Sequence, residues 1–140
     1  MNPIIRLIMM YSKVMLIDDN DLDQFVNSTL LKKSGFVADT SGFVSAIEAL
    51  EYLETVEDDF PDLILLDIKM PEMSGFEFLD RFAKIPDSRR AGCCVYMLSS
   101  SHDPVDLQKA KESPLVSGYL NKPLNPKIIE DVLCPKADGN

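Results

Sequence analysis

Residues Asp62 to Gly75 read Asp-Leu-Ile-Leu-Leu-Asp-Ile-Lys-Met-Pro-Glu-Met-Ser-Gly. Leu63 to Leu66 form a short continuous apolar run, the pattern of a strand buried on both faces of a parallel sheet. The run stops at a carboxylate, Asp67. Pro71 cannot continue a ladder and Gly75 marks a turn. Ser74 and Glu77 then make a capping box that starts a helix. Asp67 therefore stands where a buried strand meets a loop ahead of a helix. In open parallel α/β sheets that carboxyl edge is where ligands bind. Taken alone, Asp67 is equally well a strand terminator, so the other strand ends have to decide.

The same alternation runs through the chain. Lys13 to Ile17 is a β run closed by Asp18 and Asp19. Leu22, Phe25, Val26, Thr29 and Leu30 then share one face of a helix that stops at Gly35. Phe36 to Thr40 is a short edge strand, broken by Ser41-Gly42. Val44, Ile47, Leu50 and Leu53 give a second amphipathic helix. After the strand 62–67, a third helix spans about Gly75 to Lys84, and Pro86 to Gly92 is polar loop. Cys93 to Leu98 is a fourth strand leading into Ser99. Asp103-Pro104 caps a fourth helix to about Ser113. Val116 to Asn121 is a fifth strand, and Asn125-Pro126 caps a last helix to about Leu133. Five β-α repeats predict a five-stranded parallel sheet with right-handed crossovers and the doubly wound order 2-1-3-4-5. Residues 1–12 are read as an N-terminal extension, 13–134 as one domain, and 135–140 as a disordered tail.

Composition narrows the function. A net charge of −9 argues against nucleic-acid binding, which is built on Lys and Arg neutralising phosphates. No apolar run approaches the roughly 20 residues of a membrane helix, and Ile4 to Met10 is no convincing signal peptide. Cys93, Cys94 and Cys134 form no CxxC pair. Cys93 and Cys94 read as small core residues in a strand, and the set suits a reducing cytoplasm.

In the order 2-1-3-4-5, Asp18, Asp19 and Asp67 converge at one carboxyl edge. Two carboxylates ~4 Å apart repel by roughly 4 kcal/mol at an effective dielectric near 20. A hard divalent cation offsets that cost, and two carboxylates plus waters suit Mg²⁺. Ser99 follows the fourth strand and offers a hydroxyl; Lys122 follows the fifth and offers an ammonium. Metal, carboxylate, hydroxyl and cation are the parts needed to move a phosphoryl group onto Asp67.

Asp18-Asp19, Asp67 followed by Met70-Pro71 and Gly75, Ser99, and Lys122-Pro123 together resemble the receiver domain of two-component response regulators. The likeness spans about Lys13 to Leu133 and implies a flavodoxin-like (βα)5 fold. It implies that Asp67 is the phosphoacceptor. Asp19 and Asp67 would ligate Mg²⁺ directly with the backbone carbonyl of Lys69, and Asp18 largely through water. Ser99 would bind the phosphoryl group, Lys122 would pair with it, the Lys122-Pro123 peptide would be cis, and Tyr119 would be the switch aromatic. Lys69 and Ser101 would border the path of the hydrolytic water. The chain departs from the commoner pattern in having Ser at 99, Ser at 74 and Ser at 100.

The expected function is a cytoplasmic, stand-alone phosphorelay receiver rather than an enzyme. It would take its phosphoryl group from a sensor histidine kinase or a histidine phosphotransfer protein and signal to a protein target. A homodimer through the fourth helix, fifth strand and fifth helix is an option; nucleic acid and membrane are not expected partners. The alternatives are a Mg²⁺-dependent phosphohydrolase and a phosphorylation-independent binding module. Lys69 stands where such a hydrolase would carry its acid–base carboxylate, and the intact acidic set argues against the passive module.

Overall fold

The computed structural model describes residues 11–100 and 103–133. The readings made for Ser101, Cys134, the 135–140 tail and the first ten residues lie outside them. Five strands form one parallel sheet in the order β2-β1-β3-β4-β5. They are β1 (Tyr11–Ile17), β2 (Val37–Phe43), β3 (Leu63–Asp67), β4 (Cys94–Ser99) and β5 (Val116–Asn121). The helices are α1 (Asp21–Lys33), α2 (Ala46–Thr55), α3 (Gly75–Phe82), α4 (Pro104–Glu112) and α5 (Pro126–Leu133). No helix among the described residues is long and apolar enough to cross a membrane.

Strand alternation divides the core in two. Met15, Ile17, Ile64, Leu66, Val95 and Met97 face one side, where α2 and α3 supply Leu50, Leu53, Phe78 and Phe82. Val14, Leu16, Leu63, Leu65 and Leu98 face the other, against Leu31 of α1 and Ile129 and Leu133 of α5. Every residue of β3 is buried, as its unbroken apolar run requires. Both of its neighbours are in register with it, Ile17 beside Leu66 and Leu98 beside Asp67.

Several local expectations need correction. Tyr11 and Ser12, assigned to the extension, are the first residues of β1. β2 runs through Ser41-Gly42 to Phe43 instead of breaking there. The apolar face read on α1 is turned outward: Leu22, Phe25 and Val26 are exposed, while Asn27 and Leu31 are buried. The cause is Gln24. Its Nε2 donates to the carbonyls of Leu16, Asp18 and Phe43 at 3.1, 3.1 and 2.8 Å. Satisfying these strand-end carbonyls rotates a polar stripe of the helix onto the sheet. Gly42 permits it, since a Cβ there would meet Gln24 Oε1 at 2.5 Å.

Val44 is exposed and precedes α2 rather than joining its buried face. The loop after α3 contains one helical turn, Asp87–Arg90. From it Arg89 donates to the carbonyls of Leu53, Glu54 and Val56, capping the end of α2. The two cysteines are not strand core. Cys93 precedes β4 and is half-buried, and Cys94 opens the strand exposed. Burial first, then neighbouring Cys94, pushes the Cys93 thiol up to about 12, so it carries no thiolate at neutral pH.

Candidate functional site

The carboxyl edge assembles as the strand order dictates. β1 ends at Ile17, and Asp18 extends its ladder, its N–H reaching the Phe43 carbonyl at 3.0 Å. Asp18 Oδ1 accepts the Asn20 N–H at 3.0 Å, and Asn20 in turn caps α1 through the Asp23 N–H at 2.9 Å. Asp67 closes β3. Ser99 closes β4 opposite Asn121, and the next N–H, that of Lys122, donates to the Ser99 carbonyl at 2.9 Å. The Lys122–Pro123 peptide is cis.

The loop after β3 is held tightly over Asp67. Gly75 N–H donates to the Ile68 carbonyl at 2.8 Å. A Cβ on Gly75 would lie 2.6 Å from the Asp67 carbonyl oxygen, so only glycine fits this approach. The capping box exists in both directions, Glu77 N–H to Ser74 Oγ at 3.1 Å and Ser74 N–H to Glu77 Oε1 at 2.9 Å.

One oxygen each from Asp18, Asp19 and Asp67 lies within 4.8 Å of the others. Asp18 and Asp67 are buried and Asp19 is exposed. Lys122 Nζ enters this group, 2.7 Å from Asp18 Oδ2, 2.9 Å from Asp23 Oδ2 and 3.6 Å from Asp67 Oδ2. Burial raises the Asp67 pKa; Lys122 pulls against it, Asp18 pushes with it, and the result is about 6. Burial works against the Lys122 ammonium too, but the Asp18 and Asp23 carboxylates overcome it and hold its pKa above the usual lysine value. The donor set is all oxygen, anionic and open on the Asp19 side, which fits a hard divalent cation such as Mg²⁺.

The other residues expected from the sequence surround this group. Ser99 is buried. Tyr119, beside Met97 in the β4–β5 register, is half-buried against the core on the α2–α3 side. Lys69 is exposed and helps line a cavity of about 530 Å³ with Met70, Pro71 and Asp106. Sequence reasoning gives Gln24 no role and reads Asp23 only as one of a crowd of acids, a solvated loop with a helix cap or a cation site, not as a partner of Lys122. The crowding of acid at Asp18, Asp19, Asp21 and Asp23 was the available signal for Asp23; Gln24 had none.

A family model described as the response regulator receiver domain matches residues 14–133. The chain is 30% identical over 127 residues to hybrid signal transduction histidine kinase I of Dictyostelium discoideum, a match covering 89% of this chain and 7% of that protein. It is 27% identical over 124 residues to the polar-differentiation response regulator DivK of Brucella ovis, covering 88% of this chain and 94% of that one. The crystal structure of a two component response regulator from Cytophaga hutchinsonii superposes with a TM-score of 0.79 at 32% identity, covering 86% of this chain and 92% of that one. A match over nearly the whole sheet, with the acidic edge in place, leads to one conclusion: the chain belongs to the receiver domains of two-component response regulators.

Proposed function

We propose that this receiver accepts a phosphoryl group on Asp67 from a phosphohistidine of a sensor histidine kinase or histidine phosphotransfer protein, in the cytoplasm, and signals to a protein target. The observation that carries the reading is the convergence of Asp18, Asp19 and Lys122 on the buried end of the central strand. An Asp67 carboxylate oxygen attacks phosphorus, and the bond to the histidine nitrogen breaks with its electron pair leaving on the imidazole. Only the deprotonated Asp67 can attack, and a divalent cation bound beside it would favour that form.

Asp18, Asp19 and Asp67, with the Lys69 backbone carbonyl, would hold Mg²⁺, which when bound neutralises charge between carboxylate and phosphoryl oxygens. Lys122 supplies a second positive charge to the same oxygens. Once formed, the phosphoryl group carries about −1.5 to −2 charges, and Ser99 and Lys122 answer it by shifting toward it. Those two residues head α4 and lead into α5, so the shift biases the α4–β5–α5 face between two arrangements. A cavity of about 210 Å³ between α4 and β5, lined by Ala110, Val116 and Tyr119, supports a movable Tyr119 there.

The test is intact mass after incubation with acetyl phosphate and Mg²⁺. One phosphoryl adduct in the wild type and none in Asp67→Asn is the expected result. Full labelling of Asp67→Asn overturns the assignment. Hydrogen exchange with and without beryllofluoride then tests the output: a change confined to α1 and α2 would rule out the α4–β5–α5 surface.

A further inference from the structure

Lys122 pairs with Asp67 at longer range than with two other carboxylates. Its Nζ donates a hydrogen bond to Asp23 Oδ2 at 2.9 Å and pairs with Asp18 Oδ2 at 2.7 Å, whereas Asp67 Oδ2 is 3.6 Å away. The Asp18 contact follows from the sheet, since β1 and β3 are neighbours. The Asp23 contact does not. It comes from the first turn of α1, which reaches over the end of β1.

That turn is pinned. Asn20 Oδ1 accepts the Asp23 N–H, and the adjacent Gln24 side chain binds three strand-end carbonyls. The Asp23 carboxylate is therefore presented to Lys122 by a fixed backbone. Its side chain is 36% exposed, against 5% and 8% for Asp18 and Asp67. At this wet rim the charge is tolerated without a partner, so the hold on Lys122 can be released at modest cost.

We propose that Asp23 is a positioning residue: it draws Lys122 toward the rim, away from close contact with Asp67, in the unphosphorylated protein and competes with the phosphoryl group for that ammonium. The inference rests on Asp67 being the phosphoacceptor. Asp23 lies outside the three carboxylates that converge as a cation site, so its contact favours the unphosphorylated arrangement without helping to build the phosphorylated one. An interaction present in one state and weakened in the other shifts the balance by that difference.

The experiment compares wild type, Asp23→Asn and Asp23→Glu at saturating Mg²⁺, with beryllofluoride as the phosphoryl mimic and calorimetry as the readout. Asp23→Asn is expected to bind the mimic about twofold to fivefold more tightly, the range of a half-exposed ion pair. Asp23→Glu should return toward the wild-type value. The ¹⁵N shift of Lys122 Nζ should move in Asp23→Asn before any mimic is added, reporting loss of the direct contact; tighter binding of the mimic is the change that a purely structural role of Asp23 would not produce. Equal or weaker binding in Asp23→Asn, an unmoved Lys122 resonance, or no restoration by Asp23→Glu overturns the proposal. Wild type that takes no phosphoryl group from acetyl phosphate overturns the phosphoacceptor reading and this inference together. Normal wild-type uptake with unchanged Asp23→Asn binding overturns this inference alone.

Discussion

Lys13 and Lys122 sit at opposite ends of the same sheet, each with 13% of its side chain exposed. Lys13, near the start of β1, pairs with Asp59 at 2.5 Å, donates to the Tyr52 hydroxyl oxygen at 2.8 Å and lies over the Tyr52 ring. Asp59 is 70% exposed. One cation meets one carboxylate, and the carboxylate is in water. At the other end a single ammonium meets Asp18, Asp23 and Asp67, with Asp19 close by. The lysines are equally shielded; what differs is the number and burial of the acids. The first arrangement is balanced and has nothing left to attract. The second leaves an uncompensated negative charge that only more positive charge can offset. The carboxylates register the contrast in opposite directions. The hydrogen bond and charge of Lys13 hold Asp59 below its usual 3.8, while burial lifts Asp67 to about 6.

The largest test of that contrast is chemical. With acetyl phosphate and Mg²⁺, Asp67→Asn should lose the adduct entirely and Asp59→Asn should label like wild type. Loss of labelling in Asp59→Asn would mean that the amino end also takes part, and the division between the two ends would fail.

Next comes cation affinity. Asp19→Asn removes one unit charge a few ångströms from a divalent ion, so Mg²⁺ should bind about tenfold more weakly or worse. Asp59→Asn should leave the Mg²⁺ titration unchanged. Equal affinities for Asp19→Asn and wild type would place the ion elsewhere.

The third effect is on stability in the metal-free chain. The folded pKa of Asp67 lies above its unfolded value near 3.8, so its contribution is present below that value and lost as pH rises through about 6. Asp67→Asn escapes this loss. It should be more stable than wild type by about 1–2 kcal/mol at pH 8, after allowing for solvent screening at the open edge. The gain should vanish near pH 4. Thermal unfolding in chelator measures it, and an Asn variant less stable than wild type at pH 8 would show the cluster to be under no strain.

Legibility followed the same division between kinds of interaction. β3 and α3 were readable because burial alone dictates them: the apolar run 63–66 is all core, and Phe78, Leu79 and Phe82 fall inward at helical spacing. The strand order followed from the alternation, and with it the meeting of Asp18, Asp19, Asp67 and Lys122. α1 was misread because Gln24 is spent on three carbonyls of the neighbouring strands, a demand that periodicity does not encode. β2 was cut short because Gly42 looks like a breaker, when it is the gap that admits Gln24. The contacts of Arg89 and Asp23 were not legible for a related reason. Each side chain answers a group far away in the chain, 33 to 36 residues for Arg89 and 99 for Asp23, and only the fold brings them together.

The smallest expected effect is the most direct check on sign. The Asp59 pKa is depressed, so its stabilising contribution exists above the unfolded value and is lost as pH falls through the folded one. Asp59→Asn should therefore sit slightly below wild type in melting midpoint at pH 7 and rejoin it at acid pH, below the usual carboxylate range. The deficit stays small because water screens an exposed carboxylate and because Tyr52 still receives Lys13 through its hydroxyl and its ring. Plotted against pH, the differences from wild type should have opposite signs, positive for Asp67→Asn toward pH 8 and negative for Asp59→Asn around neutrality. Melting curves of the three proteins from pH 3 to 8 in chelator would show it. If Asp59→Asn raised the midpoint at pH 7, the Lys13 end would carry the same excess of negative charge as the Lys122 end, and charge balance could not be what separates them.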